Sequence, residues 1–374
     1  MLIAKTSSGE RAAKQPAAPA PGYSILNVTN LVLNLKMNFT SLKRGIYMKK
    51  IYWHLPGFCY FYKMNTRLIQ LMKQYPEKFY EGYEIGSVYG TFPGAIWNGG
   101  RAVFGIISKS NIKQVLDNYN NLGVPVRFTW TNSLLEEKHL YDTYCNLIMD
   151  MADNGMNQVL VNREVLGDYL REKYGSVSKV LTEGDNNEDS FHARENIYFP
   201  DGYAGYMEQF GKAKSGFAFI SSTTKRITDL ADVKRELTAD YALVVLDYDL
   251  NTDEITLREL EPYADRIEIL VDEICYPHCP KRKDHYADES LMQLTFDKDT
   301  RYECTNKMTK PSFAESMKRP HFIGNDKLPS YIERGYRNFK IVGRGLPQEM
   351  VLDSYLYYLV KEQYRDFVKQ ELLK

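Results

Sequence analysis

The chain has 374 residues, of which 44% are hydrophobic, so it can bury the core of one large domain or of two ordinary ones. Its 48 Lys and Arg residues balance 48 Asp and Glu residues, which excludes a global positive field that would attract nucleic acid or an anionic membrane, although a local basic patch stays open. Five unevenly spaced cysteines and the lack of any apolar run of about eighteen residues argue against a disulfide framework and a membrane span, so we expect a cytoplasmic protein.

The first 47 residues are expected to form an extension outside the folded core. Residues 1–23 are rich in Ala, Pro, Ser and Gly, a composition typical of disorder. Residues 24–47 contain an apolar alternation that fits a strand or a short docked helix. Met48 then opens a β-rich run, so we predict one domain over residues 48–374. The alternative is that the extension caps the floor of this domain.

Short β-rich runs alternate with helical patterns from residue 48 onward, which is the signature of a parallel sheet built from βαβ units. Two long single helices are predicted over Leu134–Met151 and Val351–Leu373. The predicted strands are Lys50–Leu55, Tyr83–Val88, Val124–Trp130, Gln158–Val161, Phe217–Ser221, Ala242–Asp247, Ile267–Asp272 and Phe339–Val342.

The fifth strand has two candidates, Val177–Thr182 and Phe217–Ser221. The polar stretch between them predicts an insertion at about residues 176–216. We favour Phe217–Ser221, because a helical pattern at Ile227–Leu237 and then the sixth strand follow it directly.

Eight strands with intervening helices predict a closed (β/α)₈ TIM-like barrel. An open dinucleotide-binding sheet would need a glycine-rich first turn, whereas Leu55 is followed by Pro-Gly-Phe-Cys, and no Walker A sequence is present. Any active site is then expected in the loops at the carboxyl ends of the strands.

Ionisable side chains at the predicted strand ends indicate a polar pocket on that face. Asp247, Asp272, Glu273 and Arg344 are the catalytic candidates, since carboxylates in a cavity can do acid–base work when burial shifts their pKa. Two alternatives stay open. The carboxylates could pair with Arg344 or Lys340 on a neighbouring strand, or they could hold a divalent cation.

The cysteines form the most specific chemical pattern. Cys275 and Cys279 have three residues between them and follow the seventh strand, and Cys304 comes later. Thiolates at this spacing can face one soft metal, so we predict a [4Fe–4S] cluster or a zinc ion. Cys59 in the first βα loop is the candidate fourth ligand, because its loop opens on the same rim. The alternative is that these cysteines are ordinary small side chains in packed loops.

A short basic run, Lys281–Lys283, follows the second of these cysteines. It is interpreted either as a solvated loop or as a contact for a phosphate or carboxylate group. His278 and His285 flank the run and are alternative metal ligands to Cys59.

Four segments resemble a known family. Ile267–Cys275 is similar to the strand that leads to the first cysteine of the collagenase-like peptidase family (peptidase family U32), and Asn338–Arg344 is similar to that family's closing Lys-Ile-Glu-Gly-Arg strand. Asn154–Val159 and Ile220–Thr223 resemble its fourth- and fifth-strand segments. The resemblance spans roughly residues 48–368.

This resemblance implies a barrel enzyme that acts on a peptide, an RNA or a hydrophobic substrate. Several members of the family carry a four-cysteine iron–sulfur cluster, and some take part in hydroxylation. Iron–sulfur-dependent modification is therefore the leading hypothesis, with Cys275 as the family's first cysteine. The alternatives are a cluster-free peptidase and a non-enzymatic binding module with a structural zinc. In that module the Tyr-rich C-terminal helix would contact a protein partner.

Overall fold

A computed structural model describes residues 50–177, 215–298, 304, 308 and 310–374. The predicted extension over residues 1–47 and nearly all of the predicted insertion lie outside these residues. In the described part eight parallel strands close into a barrel, with each strand hydrogen-bonded to the next and β8 to β1. The strands are β1 Ile51–Pro56, β2 Tyr83–Gly90, β3 Val126–Trp130, β4 Gln158–Val161, β5 Ala218–Ser221, β6 Leu243–Val245, β7 Ile267–Leu270 and β8 Asn338–Lys340.

Helices connect the strands and cover the outside of the barrel. Ser108, Asp142, Asp229 and Asp253 begin four of them, since each side chain accepts a hydrogen bond from a backbone N–H of the first turn. The described α-helices are α1 Tyr62–Gln74, α2 Lys109–Asn121, α3 Thr143–Ala152, α4 Glu164–Tyr174, α5 Leu230–Thr238, α6 Glu254–Leu260, α7 Arg282–Thr295, α8 Phe313–Ser316, α9 Leu328–Glu333, α10 Gln348–Leu359 and α11 Arg365–Leu372. None of the described helices is long and apolar enough to cross a membrane.

The barrel prediction is confirmed, and all eight predicted strands overlap observed ones. The favoured fifth strand, Phe217–Ser221, corresponds to β5. Val177, the first residue of its competitor, donates a backbone hydrogen bond to the Phe217 carbonyl, and residues 178–182 lie outside the described part.

The single long helix predicted over Leu134–Met151 is wrong in its first half. A 3₁₀ turn occupies Glu137–His139, and α3 begins only at Thr143. The reason is Asp142, whose carboxylate accepts a hydrogen bond from the Cys145 N–H at 2.7 Å and so starts a new helix there.

The long C-terminal helix predicted over Val351–Leu373 is also wrong, because it is two helices. α10 ends at Leu359, and Val360 forms an antiparallel bridge with Phe79 below the barrel. The next residue donates its N–H to the Lys78 carbonyl at 3.0 Å, so the chain is tied in extended form before α11 begins.

Alternation along the strands separates two cores. Phe128, Phe219 and Phe339 point outward and pack with the helices in the larger apolar cluster. Their neighbours in the strands point into the barrel. Between β4 and β7 the inward residues form a second apolar cluster, composed of Leu160, Ala218, Ile220, Leu243, Val245 and Leu270. The rest of the interior is polar and leads upward to the site.

Candidate functional site

A cavity of about 70 Å³ opens at the carboxyl ends of the strands. Leu160 and Leu270 of the inner apolar cluster form part of its wall, and polar side chains from the strand ends and the following loops form the rest. These polar and aromatic lining residues are Tyr89, Arg101, Thr129, Thr131, Ser222, Thr223, Thr224, Glu273, Arg282, Tyr286, Lys340 and Arg344. Four of them are basic and one is acidic, so the cavity is strongly biased toward anions.

Arg344 is fixed from the β2 and β3 side of the cavity. Its Nη1 donates to Asn98 Oδ1 at 3.1 Å, to the Gly99 carbonyl at 3.0 Å and to Thr129 Oγ1 at 3.0 Å. All three bonds use one nitrogen, so the other edge of the guanidinium is not needed to hold the side chain. Gly100 has φ +75° and lies close to that edge, where an added Cβ would be 3.1 Å from Nη2.

Arg282 and Glu273 form the opposite wall. The Arg282 guanidinium lies over the Tyr286 ring at 4.5 Å and donates to the Tyr286 hydroxyl at 2.9 Å. Its Nη2 is 3.7 Å from Glu273 Oε2, which is beyond a hydrogen bond, and its buried Nε has no hydrogen-bond partner among the described residues. The basic run that contains Arg282 was expected to be solvated or to contact an anion, and this member of it is buried against the cavity.

Lys340 is the last residue of β8 and points into the barrel, where a buried ionic network begins. Its Nζ is 3.3 Å from Glu268 Oε1, and the other Glu268 oxygen pairs with Arg127 and lies 3.3 Å from His54 Nε2. Burial acts to raise the pKa of Glu268, but the surrounding basic groups, Arg127 foremost, hold it well below its usual range. Burial also lowers the pKa of His54 to about 3 and that of Lys340 to about 8.

A larger groove of about 1070 Å³ adjoins the cavity, and Arg101 and Arg344 line both. Arg101 is steadied by Glu289, whose Oε1 is 3.9 Å from its Nη1. Many of the groove's other lining residues are apolar or small, namely Gly57, Cys59, Phe61, Pro93, Ala102, Val103, Phe104, Met292, Leu346 and Pro347. The polar cavity therefore continues into a mainly apolar surface.

The four predicted catalytic residues separate into two pairs. Glu273 and Arg344 line the cavity. Asp272 instead accepts from the Val342 N–H at 2.7 Å and from Ser354 Oγ at 3.1 Å, so it ties the end of β8 to α10, and burial raises its pKa to about 7.

The other carboxylate outside the lining, Asp247, pairs with Arg226 at 2.8 Å and accepts the Asp249 N–H at 3.0 Å. Burial raises its pKa to about 6 in spite of Arg226. The expected alternative, pairing of the predicted carboxylates with Arg344 or Lys340, is wrong for Asp247 and Asp272, because nearer loop and backbone donors hold them.

The predicted metal ligands lie on three separate connections between the strands and helices. The Cys275 N–H donates to Glu273 Oε1 at 3.0 Å, which places Cys275 beside the cavity, and the Cys279 carbonyl accepts the Arg282 N–H at 3.2 Å. Cys59 lines the adjoining groove, and Cys304 is flanked by residues outside the described part. Within the described ranges no three His, Cys, Asp or Glu side chains are grouped to hold a metal ion, so we derive no step through a metal or cluster.

Sequence reasoning treated one basic residue of the cavity, Lys340, only as a structural partner of the carboxylates. A signal existed in the strand itself. In Asn338-Phe339-Lys340 the outer residues share one face, and the central Phe339 faces the helices, so the lysine must point inward. Arg101 carried no such signal, because it lies in a loop between β2 and α2.

The fold and the cavity define a (β/α)₈ barrel protein with a polar site on its top face. No family model matches the chain, and no curated protein matches it. A solved structure, that of the U32 peptidase Mk0906, resembles it with a TM-score of 0.42 and 12% identity over 80% of this chain and 94% of that chain. This likeness is distant and lies at the level of the fold, so no activity or residue role is carried over from it.

Proposed function

We propose that the chain is an enzyme that binds an oxyanion of its substrate, a carboxylate or a phosphate group, in the cavity at the mouth of the barrel. The supporting observation is the excess of positive charge. Arg101, Arg282, Lys340 and Arg344 line the cavity, against Glu273 as the acidic lining residue. Planar guanidinium groups bind such anions through paired, charge-assisted hydrogen bonds.

The excess of positive charge at the cavity persists when the neighbouring carboxylates are included. Glu289 lies beside Arg101 outside the cavity, and Glu268 lies beneath Lys340 but is shared with Arg127. No described carboxylate remains for Arg344, whose Nη1 is held by neutral oxygens. A half-buried positive charge that has only neutral partners favours an anionic ligand.

Hydroxyl groups at the strand ends add neutral donors around the same space. Ser222, Thr223 and Thr224 follow β5 on the wall of the cavity, and Thr223 Oγ1 is buried without a hydrogen-bond partner in the described part. An oxyanion has several lone pairs to satisfy, and such hydroxyls can donate to those that the arginines leave.

The groove that shares Arg101 and Arg344 supports a substrate with an apolar body. Phe61, Val103 and Leu346 offer a surface next to the anion-binding arginines. The proposed substrate therefore combines an anionic group in the cavity with an apolar part in the groove. Peptides with a free carboxylate and hydrophobic carboxylic acids both fit this description. The binding experiment distinguishes them from compounds that carry a phosphate group.

Isothermal titration with butyrate, butyramide and inorganic phosphate tests the anion site. We expect butyrate or phosphate to bind and butyramide to bind roughly 10- to 100-fold more weakly, because charge-assisted hydrogen bonds contribute about 1.5–3 kcal/mol. Arg344→Gln should remove most of this preference, while Lys113→Gln, at an exposed position that lines neither the cavity nor the groove, should leave it unchanged. Equal affinity for butyrate, phosphate and butyramide would refute the proposal, and the stronger anion identifies the group.

The iron–sulfur cluster, the zinc ion and the peptidase activity stay predictions. Anaerobic purification followed by iron and zinc quantification tests the first two. Stoichiometric metal that is lost in Cys275→Ser would support a centre at that loop, and metal-free protein with reactive thiols would count against it. Release of peptides from casein tests the third.

A further inference from the structure

We propose that Lys340 is the nucleophile of this site, and that its amine forms an imine with the ketone or aldehyde carbon of a small compound that also carries a carboxylate. This inference rests on the proposed anion site and specifies the substrate class that the site would accept. It begins from where the amine lies, from the charges around it and from the size of the cavity.

The Lys340 side chain lies in the cavity wall with 8% of its surface exposed. Its Nζ is 3.3 Å from Glu268 Oε1 and 4.2 Å from the centroid of the Tyr89 ring. Leu270 is its register partner on β7 and is also part of the wall. The amine is thus shielded on the barrel side and open only toward the cavity.

The charges below the amine favour its neutral form. Glu268 is the single carboxylate of the network, and Arg127 pairs with it directly. Because a guanidinium does not give up its proton in proteins, Arg127 neutralises the negative charge of Glu268. Lys340 is then not needed as a positive partner for this carboxylate. His54 stays neutral in its buried position, since its pKa is lowered to about 3. Lys340 is the basic group of the network that can lose a proton at low cost.

The groups above and beside the amine act in opposite directions. Arg344 lies on the cavity side, and its positive charge opposes a proton on Lys340, whereas the face of the Tyr89 ring, 4.2 Å from Nζ, favours the charged ammonium. The Tyr89 hydroxyl donates to the Ile341 carbonyl at 2.7 Å, and its pKa is raised by burial, so it remains a neutral phenol. Burial and the two guanidinium groups lower the pKa of Lys340 to about 8, although Glu268 opposes them.

The volume of the cavity limits the size of the carbonyl compound that can reach Lys340. Its volume of about 70 Å³ corresponds to roughly five water-sized groups. A three- or four-carbon 2-oxo acid is of about this size. When its carboxylate lies against Arg344 or Arg282 at the rim, the adjacent carbonyl carbon points to the inner wall, where the amine is. A larger substrate would extend into the groove past Arg101.

The step balances without an oxidant, reductant or metal. The neutral amine attacks the carbonyl carbon, a C–N bond forms, and one N–H proton moves to the carbonyl oxygen to give a carbinolamine. The C–O bond then breaks as the nitrogen lone pair forms C=N, and the second N–H proton leaves with the oxygen as water. The imine takes up a proton from solvent and becomes an electron sink for bonds at the adjacent carbon.

Reductive trapping with pyruvate and cyanoborohydride at pH 8, read by peptide mass spectrometry, tests this step. We expect one 1-carboxyethyl group on Lys340. An ordinary lysine with a pKa of about 10.4 is roughly 0.4% neutral at this pH, whereas Lys340 is about half neutral, so labelling should be on the order of a hundredfold faster. Lys340→Arg should abolish this label.

Lys225 is the matched control within the same protein. It also lies beside the cavity and is largely buried, but its Nζ contacts Glu164 at 2.7 Å and Glu236 at 2.9 Å. Burial opposes its charge, yet Tyr241 and these carboxylates raise its pKa, so it should remain unlabelled. Equal labelling of Lys225, Lys340 and surface lysines would overturn the proposal.

Acetone, which has the ketone but no carboxylate, separates this inference from the proposed anion site. Faster labelling of Lys340 by pyruvate than by acetone supports both. Equal labelling by the two compounds supports the imine and counts against the anion site. Binding of pyruvate in isothermal titration with no label on Lys340 would refute imine formation and would still support the anion site.

Discussion

The barrel interior has two halves whose side chains occupy equivalent inward positions but differ in chemistry. Between β4 and β7 the inward residues are aliphatic and closely packed, as at Leu160, Ile220 and Leu243. Across the interior they are charged or polar and equally buried, as at Arg127 and Glu268. The first half stabilises the barrel by removing apolar surface from water. The second gains little net stability, because desolvation offsets most of the attraction between buried charges.

The contrast indicates where function is to be sought. A polar network that fills half of a barrel at little net gain in stability is expected where charge is needed at a defined position. Here it ends at Lys340, beneath the cavity. The two halves meet at β7, where Glu268 belongs to the network and Leu270, two residues later, to the aliphatic cluster.

Glu268→Gln should have the largest effect on stability. It removes the carboxylate that neutralises Arg127 and leaves a buried charge without its partner. We expect a loss of about 3–5 kcal/mol in the free energy of unfolding, measured by urea denaturation. Glu259→Gln, which breaks an exposed pair with Lys234, is the matched control and should cost less than about 1 kcal/mol. Similar losses in the two variants would remove the basis for a distinct polar half.

Ile220→Ala probes the aliphatic half. Its side chain is fully buried inside the barrel, so truncation should cost about 2–5 kcal/mol, and Ile220→Val about 0.5–1.5 kcal/mol. The loss should not vary with pH, because no ionisable group is removed. A loss that depended on pH would show that the two halves are coupled.

His54 should make the free energy of unfolding depend on pH. Its pKa is about 3 in the folded protein and near 6.5 when unfolded, so between these values only the unfolded chain binds the proton. Its contribution therefore destabilises the fold as pH falls from 6.5, by up to about 1.4 kcal/mol per pH unit. His54→Gln should show a shallower decline between pH 6.5 and 4 than the parent. Parallel curves would mean that His54 is protonated in the fold.

Lys113→Ala should have the smallest effect. Lys113 and Asp117 form an exposed ion pair one turn apart on α2, at 2.5 Å. Such pairs contribute about 0.3–0.5 kcal/mol and are screened by salt. The change in unfolding free energy should stay below about 0.5 kcal/mol and shrink further at high salt. A larger loss would mean that burial does not explain why the Arg127–Glu268 pair matters more for stability than the exposed Lys113–Asp117 pair.

The sequence allowed the barrel to be predicted because strand periodicity and helical spacing are local signals. Gln158–Val161 was predicted to the residue, while the helix break at Asp142 was not, since a capping side chain outweighed the apolar pattern that continues through it. The position of Arg344 on the top face followed from strand order. The partners of Asp247 and Asp272 did not, because Arg226 and Ser354 reach them only through the fold.

The network around Glu268 could not be foreseen for a similar reason. Its members come from β1, β3, β7 and β8, and no spacing along the chain shows that four strands will direct polar side chains to one point. An inward polar residue in a short strand was visible in the sequence, but whether it meets a partner depends on the closure of the barrel.

The three-residue strand β8 gives the proposed amine its location. Asn338 and Lys340 pair with Glu268 and Leu270 of β7 on one side and with Tyr52 and His54 of β1 on the other. A shift of a single residue against either neighbour would exchange the faces of Phe339 and Lys340, placing an aromatic ring in the cavity and the amine among the outer helices. The chemistry of the site therefore depends on the register of β8. A one-residue insertion or deletion before Lys340 should have the same effect as removing its side chain.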